Sequence, residues 1–300
     1  MRDGSFIGAV AEREEIALAA LERLRGGARW QEGATLPDET RLAEWLRAQP
    51  HETTPVTLRQ PAHGTPGPAR TLKATFTRPF IAHASLAPSC ALARWDGERV
   101  HVFSHTQGIF NLRADLAIAL SLPPEAIVVE HREGAGCYGH NGADDVALDA
   151  TLLARAVPGR PVRVSWSRED ELAWAPFGPA MAVDVAVDLD AVGEVLAWRS
   201  DVWSNGHSLR PGRSATPTLL AAAHRSDPAA PIVAINMPLA TGGGSDRNAT
   251  PPYDFPAIEV ANHRVLSMPL RTSALRSLGA FANVFAIESM VDDIVLLPSD

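Results

Sequence analysis

A layered α/β or α+β fold is what this sequence predicts, and three observations carry it. Apolar strand-like runs alternate with helix-like runs from residue 71 to 166, two pairs of runs are joined by short hairpin-type turns, and 46% of the 300 residues are hydrophobic. Alternation argues for helices layered on sheet, hairpins bring antiparallel pairs into it, and the apolar content suffices for a sizeable core. The expected organisation is the end of a small N-terminal α/β domain over residues 1–50, a linker over 51–70 and a main α+β domain over 71–300.

Taken in order, residues 5–10 read as a strand and 12–25 as a helix with Ala17, Ala20, Leu21 and Leu24 on one face and acidic residues in its first turn. A second short helix over 38–47 carries Leu42, Trp45 and Leu46. Proline, threonine, glycine and histidine without periodicity make 51–70 read as extended linker. Strands follow at 71–77, 89–95 and 99–104, the last two around Asp96-Gly97. Residues 108–120 form a helix with Leu112, Leu116, Ala119 and Leu120 inward, ended by Pro123-Pro124. The strand 127–131, a glycine-rich loop, a helix over 144–156 and the strand 162–166 complete the alternation. Residues 181–187 and 195–202 read as a second hairpin, and 203–256 as a long, poorly periodic stretch of the kind that is functional or covers a neighbour. Order returns with a strand at 257–263 and a helix over 281–294. The abrupt start raises the expectation that an N-terminal portion precedes this chain.

Composition excludes several classes. A net charge of −8 without a basic stripe argues against nucleic acid as the main partner. Cys90 and Cys137 are the only cysteines, too few for a disulfide framework or an iron–sulfur cluster of this chain's own, and no His, Cys and Glu cluster has zinc spacing. Residues 1–10 lack the basic region and long apolar run of a secretory signal, and no run is long enough to span a membrane, so cytoplasm and periplasm stay open as compartments.

The chemistry centres on residues 133–145, where Ile127-Val128-Val129 feeds a loop containing Gly134, Gly136 and Gly139 that opens into a helix. Glycine permits positive φ and lets backbone N–H groups approach a phosphate or pterin-like ligand. The run Gly134 to Gly139 satisfies G-x-G-x-x-G, so an NAD(P)-binding oxidoreductase is one reading. Against it, no acidic residue closes the next strand; Val164-Ser165-Trp166-Ser167 runs into Arg168-Glu169-Asp170. Asp144 and Asp145 are expected to cap or begin the following helix, and Cys137 to pack rather than react.

Five blocks occur in order: residues 78–88, Thr106-Gln107-Gly108, the glycine loop, residues 159–170 and Arg276-Ser277-Leu278-Gly279. Together they resemble the large molybdopterin-binding subunit of the xanthine dehydrogenase and aldehyde oxidase family, the loop being most like the nicotinate dehydrogenase and isoquinoline oxidoreductase branch. The resemblance implies that the main domain is the first molybdenum-cofactor-binding domain, an α+β domain with mixed sheets, with the metal held by the pterin rather than by protein side chains. It implies cofactor contacts from Gln107, Gly134, Gly136, Cys137, Tyr138, Gly139, Arg276, Ser277, Leu278 and Gly279. Gln107 matches the glutamine that bonds an oxygen ligand of molybdenum, a task that suits a neutral amide. Arg276 matches an arginine bordering the pterin and substrate pocket, and His83 is expected to be structural. The intact relative oxidises a heteroaromatic ring or an aldehyde with water-derived oxygen, beside an iron–sulfur partner subunit and a possible cytochrome-type acceptor. The family's general-base glutamate belongs to a later glycine-rich motif that is not found before Asp300, and Glu288 is not assigned that role. Residues 295–300 depart from the family pattern, and the chain is accordingly expected to be a fragment, inactive alone or dependent on a partner.

Overall fold

The structure is a computed structural model that describes residues 1–31, 33 and 35–296. In chain order its elements are β1 (Arg2–Asp3), β2 (Phe6–Ile7), α1 (Glu14–Gly27), α2 (Leu42–Ala48), β3 (His51–Arg59), β4 (Arg70–Arg78), β5 (Cys90–Trp95), β6 (Val100–Ser104), α3 (Ile109–Leu120), β7 (Ile127–His131), α4 (Ala143–Ala156), β8 (Pro161–Ser165), α5 (Arg168–Trp174), β9 (Met181–Leu189), β10 (Val195–Asn205), β11 (Ile258–Val265) and α6 (Ala280–Val295). The chain forms two compact units, each built from three segments.

The first unit comprises Met1–Thr35, His83–Pro176 and Arg210–Ile232. Its sheet runs β7-β6-β5-β8, with β6 and β7 parallel and the other pairs antiparallel. Alternation along β5 puts Ala91, Ala93 and Trp95 on the core side, and Val100 and Val102 of β6 join them. Small residues let α4 lie close on this face: Ala147, Ala150 and Ala154 are fully buried, beside Val146 and Leu148. After α3, Ser121 adopts φ 55° and Leu122 N–H returns to Ala117 O at 3.0 Å, closing the helix before Pro123.

The second unit comprises Leu36–Ala82, Phe177–Leu209 and Val233–Asp300. Its five-stranded sheet runs β3-β11-β10-β9-β4, with β10 and β11 parallel and every other pair antiparallel. Val183, Val185 and Val187 of β9 meet Ala282, Ala286, Ile287 and Met290 of α6 in the larger of this unit's cores. Trp198 is fully buried and stacks on Phe255 with centroids 5.5 Å apart. Leu46 of α2 is fully buried in a smaller core with Ala180, Ala182 and Val265.

Four expectations need correction. Residues 51–59, expected as linker, form the edge strand β3. Threonine and valine favour the strand, and Pro55 is tolerated because the ladder is irregular opposite Val260 and Ala261 on a sheet edge. The strand expected over 5–10 is instead a small hairpin of β1 with β2. Helix α5 was not expected; Ser167 and Asp170 form a capping box that starts it without a long periodic run. Gly142, with neither aspartate, is the N-cap of α4. The departure expected over 295–300 lies, for residues 297–300, outside the described residues. No described helix is long and apolar enough to cross a membrane.

Candidate functional site

In the first unit the site begins where β6 ends. Thr106 is buried, its N–H donates to Ser104 Oγ at 3.1 Å, and its Oγ1 accepts from Gly108 N–H at 3.1 Å. This turn starts α3 and leaves Gln107 exposed just before it. Across from it, residues 132–142 carry the chain from β7 to α4. Gly136, Tyr138 and Gly139 all have positive φ, at 85°, 49° and 143°. For tyrosine this is a strained state costing on the order of 1–3 kcal/mol, the kind of outlier that points to function. Gly134 answers a different need: a Cβ there would lie 2.6 Å from the His105 ring.

The loop is held from behind. Asn141 Nδ2 donates to Gly136 O at 3.2 Å and to Ser85 Oγ at 3.1 Å, while its Oδ1 accepts from Ala143 N–H at 3.2 Å. His140 N–H donates to His83 Nε2 at 3.2 Å, so His83 has the structural role expected of it. Arg168 donates to Ser85 O and Leu86 O at 2.7 and 2.9 Å, and Leu86 N–H in turn donates to Ala135 O. His140 Nε2 lies 2.9 Å from Asp144 Oδ2, both side chains being buried. Burial works to raise the Asp144 carboxyl, but the His140 contact, the Thr106 hydroxyl and the Arg210 charge hold it below its ordinary value. Asp145 Oδ1 accepts from Leu220 N–H at 2.7 Å. The two aspartates therefore sit in the first turn of α4 without capping it, while their side chains tie neighbouring segments to it.

The edge of the loop carries a polar chain. Gln107 Nε2 donates to Cys137 Sγ at 2.6 Å, Arg210 Nη1 donates to Gln107 Oε1 at 2.5 Å, and Arg210 Nη2 donates to Gly139 O at 3.0 Å. Cys137 is half-buried and lies in none of the hydrophobic cores, so the packing role expected of it is replaced by a hydrogen-bonded one. Arg210 was not foreseen. It lies 103 residues after Gln107, at the start of a stretch without periodicity, and no motif marks it.

The segment Arg276-Ser277-Leu278-Gly279 belongs to the second unit. Ser277 and Leu278 are both left-handed, with φ 75° and 55°. Buried Arg78 donates to Leu278 O at 2.9 Å. Gly279 N–H donates to Gly244 O at 3.0 Å, and a Cβ at Gly279 would lie 2.2 Å from Ser245 O. Fully buried Ser245 is a hub: its Oγ donates to Asn262 Oδ1 at 2.7 Å, and its carbonyl accepts from Asn283 Nδ2 at 2.8 Å. Arg276 is exposed.

The dinucleotide reading does not match this geometry. Its fingerprint needs a parallel sheet and a helix opening on the glycines, whereas this sheet is mixed and α4 begins at Ala143, beyond Gly139. Comparison with known proteins decides the family. The model of the molybdopterin cofactor-binding domain matches residues 65–227. This chain belongs to that family.

Among molybdopterin-domain relatives, a nicotinate dehydrogenase subunit of Pseudomonas putida is 36% identical over 293 residues, covering 96% of this chain and 23% of its own length. The aldehyde oxidoreductase molybdenum-binding subunit PaoC of Escherichia coli is 31% identical over 198 residues, covering 65% of this chain and 26% of its own. The chain thus spans about a quarter of the length of these relatives. Quinoline 2-oxidoreductase from Pseudomonas putida shares the fold, with a TM-score of 0.63 at 16% identity over 95% of this chain and 34% of that one. The aldehyde oxidoreductase of Desulfovibrio gigas has a TM-score of 0.56 at 18% identity, over 82% and 25%. The α+β fold with mixed sheets and the molybdopterin-type cofactor are therefore those of the family, and the relatives' names describe subunits of larger assemblies.

The residues present fit a pterin-borne metal. One amide hydrogen of exposed Gln107 is left over after the bond to sulfur, and the group is neutral. Beside it the loop offers backbone free of a Cβ at Gly136 and Gly139, held in left-handed torsions by partners behind it. Among the described residues no group of three or more His, Cys, Asp or Glu could hold a metal ion.

Proposed function

We propose that this chain is part of the pterin-binding subunit of a molybdenum hydroxylase that oxidises an N-heteroaromatic compound or an aldehyde with oxygen drawn from water. The observation that carries the reading is the donor end of Gln107, exposed at the edge of a loop strained at Tyr138. Identity of 36% to the nicotinate dehydrogenase subunit supports the heteroaromatic branch. When bound, the cofactor supplies the redox and oxygen-transfer chemistry. The chain's own residues bind and orient it. Gln107 donates to an oxygen without adding charge beside the metal, and Gly134, Gly136, Cys137, Tyr138 and Gly139 present the wall it lies against. Ser277, Leu278 and Gly279 offer a second stretch of rigid backbone, and Arg276 a cation suited to a phosphate or a substrate carboxylate. The general base is none of these residues; Glu288 is engaged by the Tyr253 hydroxyl at 2.7 Å. An iron–sulfur subunit would be the partner that takes up the electrons, with a cytochrome-type protein as one acceptor it could serve.

The test is co-expression of the chain with the products of its neighbouring genes, followed by metal analysis and nicotinate-dependent reduction of an artificial acceptor. Stoichiometric molybdenum, reduced by Gln107→Ala, is the expected result. An assembly free of molybdenum that quenches or enhances NADPH fluorescence would sink the reading.

A further inference from the structure

Gln107 can do its work only one way round. An amide whose nitrogen faces an oxygen ligand donates to it; the same amide reversed sets lone pair against lone pair. Which way it lies is decided by its neighbours. Arg210 Nη1 stands 2.5 Å from one end, and a guanidinium can only donate, so that end is the oxygen. The nitrogen must then face Cys137 Sγ, 2.6 Å away, with its second hydrogen unused.

Arg210 is itself held in place. Its second nitrogen donates to Gly139 O at 3.0 Å, so one planar fork grips both the glutamine and the strained loop. Two residues on, Gly212 N–H donates to Asp115 Oδ1 at 2.7 Å, and Asp115 Oδ2 accepts from Thr218 N–H and Oγ1 at 2.8 and 2.9 Å. Asp115 is fully buried on α3, the helix that Gln107 precedes, so the arginine and the glutamine are referred to one element. Lysine could supply the charge but not both bonds at once.

We propose that Arg210 is a positioning residue that locks the Gln107 amide with its donor end toward Cys137 and toward the oxygen ligand it would hold, an inference that rests on the cofactor-facing reading of Gln107. The alkylation rate of Cys137 reports which end of the amide its sulfur meets, since the sulfur shares its lone pair with an N–H donor and faces an opposing lone pair when the amide is reversed. The full chain, without cofactor, is treated with iodoacetamide across a pH series, and Cys137 and Cys90 are followed separately by mass spectrometry. Cys90, at the start of β5, serves as the internal reference for opening of the fold.

Arg210→Met is expected to change the Cys137 rate about threefold to tenfold, in the slowing direction, with Cys90 unchanged. Gln107→Leu should do the same, and adding Arg210→Met to Gln107→Leu should change little more. Arg210→Lys should recover part of the rate. An unchanged Cys137 rate in Arg210→Met overturns the proposal. So does an Arg210→Met effect that persists in full beside Gln107→Leu, since the charge would then act on sulfur directly. If Arg210→Met also accelerates Cys90, the fold has opened and Gln107→Glu decides: it keeps the Arg210 contact and lacks the donor, so Cys137 must slow, and an unchanged rate overturns the proposal. Molybdenum content of the co-expressed assembly separates the two ideas. Full coupling in the alkylation series with molybdenum unaffected by Gln107→Leu would leave the positioning role standing and remove the cofactor reading.

Discussion

Arg78 is 2% exposed, and among the described residues its guanidinium donates to carbonyls alone: Pro179 O through Nε and Nη2 at 3.1 and 2.5 Å, and Leu278 O through Nη1 at 2.9 Å. With no carboxylate to offset burial, its pKa is pulled down to about 10. Replacing it by methionine leaves two carbonyl groups short of their donors, and we expect a loss of about 2–4 kcal/mol in urea unfolding, of which Arg78→Lys recovers only part. Its neighbour His207 gives a pH dependence. Ser204 Oγ donates to Ala180 O and lies 3.1 Å from His207 Nε2, which makes Nε2 the protonated nitrogen of a neutral ring; Nδ1 has no partner among the described residues. Burial holds His207 well below its ordinary value, and the Arg78 charge adds to this. The unfolded chain therefore takes up a proton that the folded one refuses. Stability from this group is complete above about pH 6.5 and is lost as pH falls below it, by up to ~1.4 kcal/mol per pH unit. Urea midpoints at descending pH should show the slope, and His207→Leu should flatten it. Residues with a local motif around them, such as Gln107 and Tyr138, can be singled out as candidates from the sequence. Arg210 and Arg78 cannot, because their meaning comes from carbonyls and an amide that lie about a hundred residues or more away in the chain.

Among the elements, α3 anchors the chain that follows Arg210 through a single carboxylate. Burial pushes Asp115 up, against the three bonds it accepts from Gly212 and Thr218. Asp115→Ala would strand three donors, and we expect a loss of about 2–4 kcal/mol with faster proteolytic cleavage within residues 211–219. Helices and central strands are readable because burial writes its period into the sequence, and β6 and α3 fall where the pattern puts them. Periodicity reports a face and says nothing of what covers it. Helix α1 has the expected apolar stripe, yet none of its residues is buried, with Leu21 and Leu24 of that stripe at 38% and 37% exposure. Edge strand β3 and seven-residue α5 escaped for the opposite reason: the one is too exposed and the other too short to carry a period.

For the molecule, the layered α+β class was legible because hairpin turns and alternating elements are local signals, whereas strand order is a matter of distant partners. The four-stranded and the five-stranded sheet each contain one parallel pair, and the second unit closes its sheet with strands from far apart in the sequence. That pairing sets a clock during synthesis. Arg59 of β3 has Ile258 of β11 as its partner, so β3 leaves the ribosome about 200 residues ahead of the strand that completes it. At ordinary elongation rates the interval is about 10–40 s, long enough for an unpaired strand to meet a chaperone or another nascent chain. Nascent chains arrested before residue 258 should be cut by protease within 51–59, and chains extended past 265 and clear of the tunnel should be protected there. Pro55, placed where the ladder is already irregular, blunts the waiting strand against pairing with a copy of itself, and Pro55→Val should raise aggregation during synthesis more than it changes the stability of the finished protein.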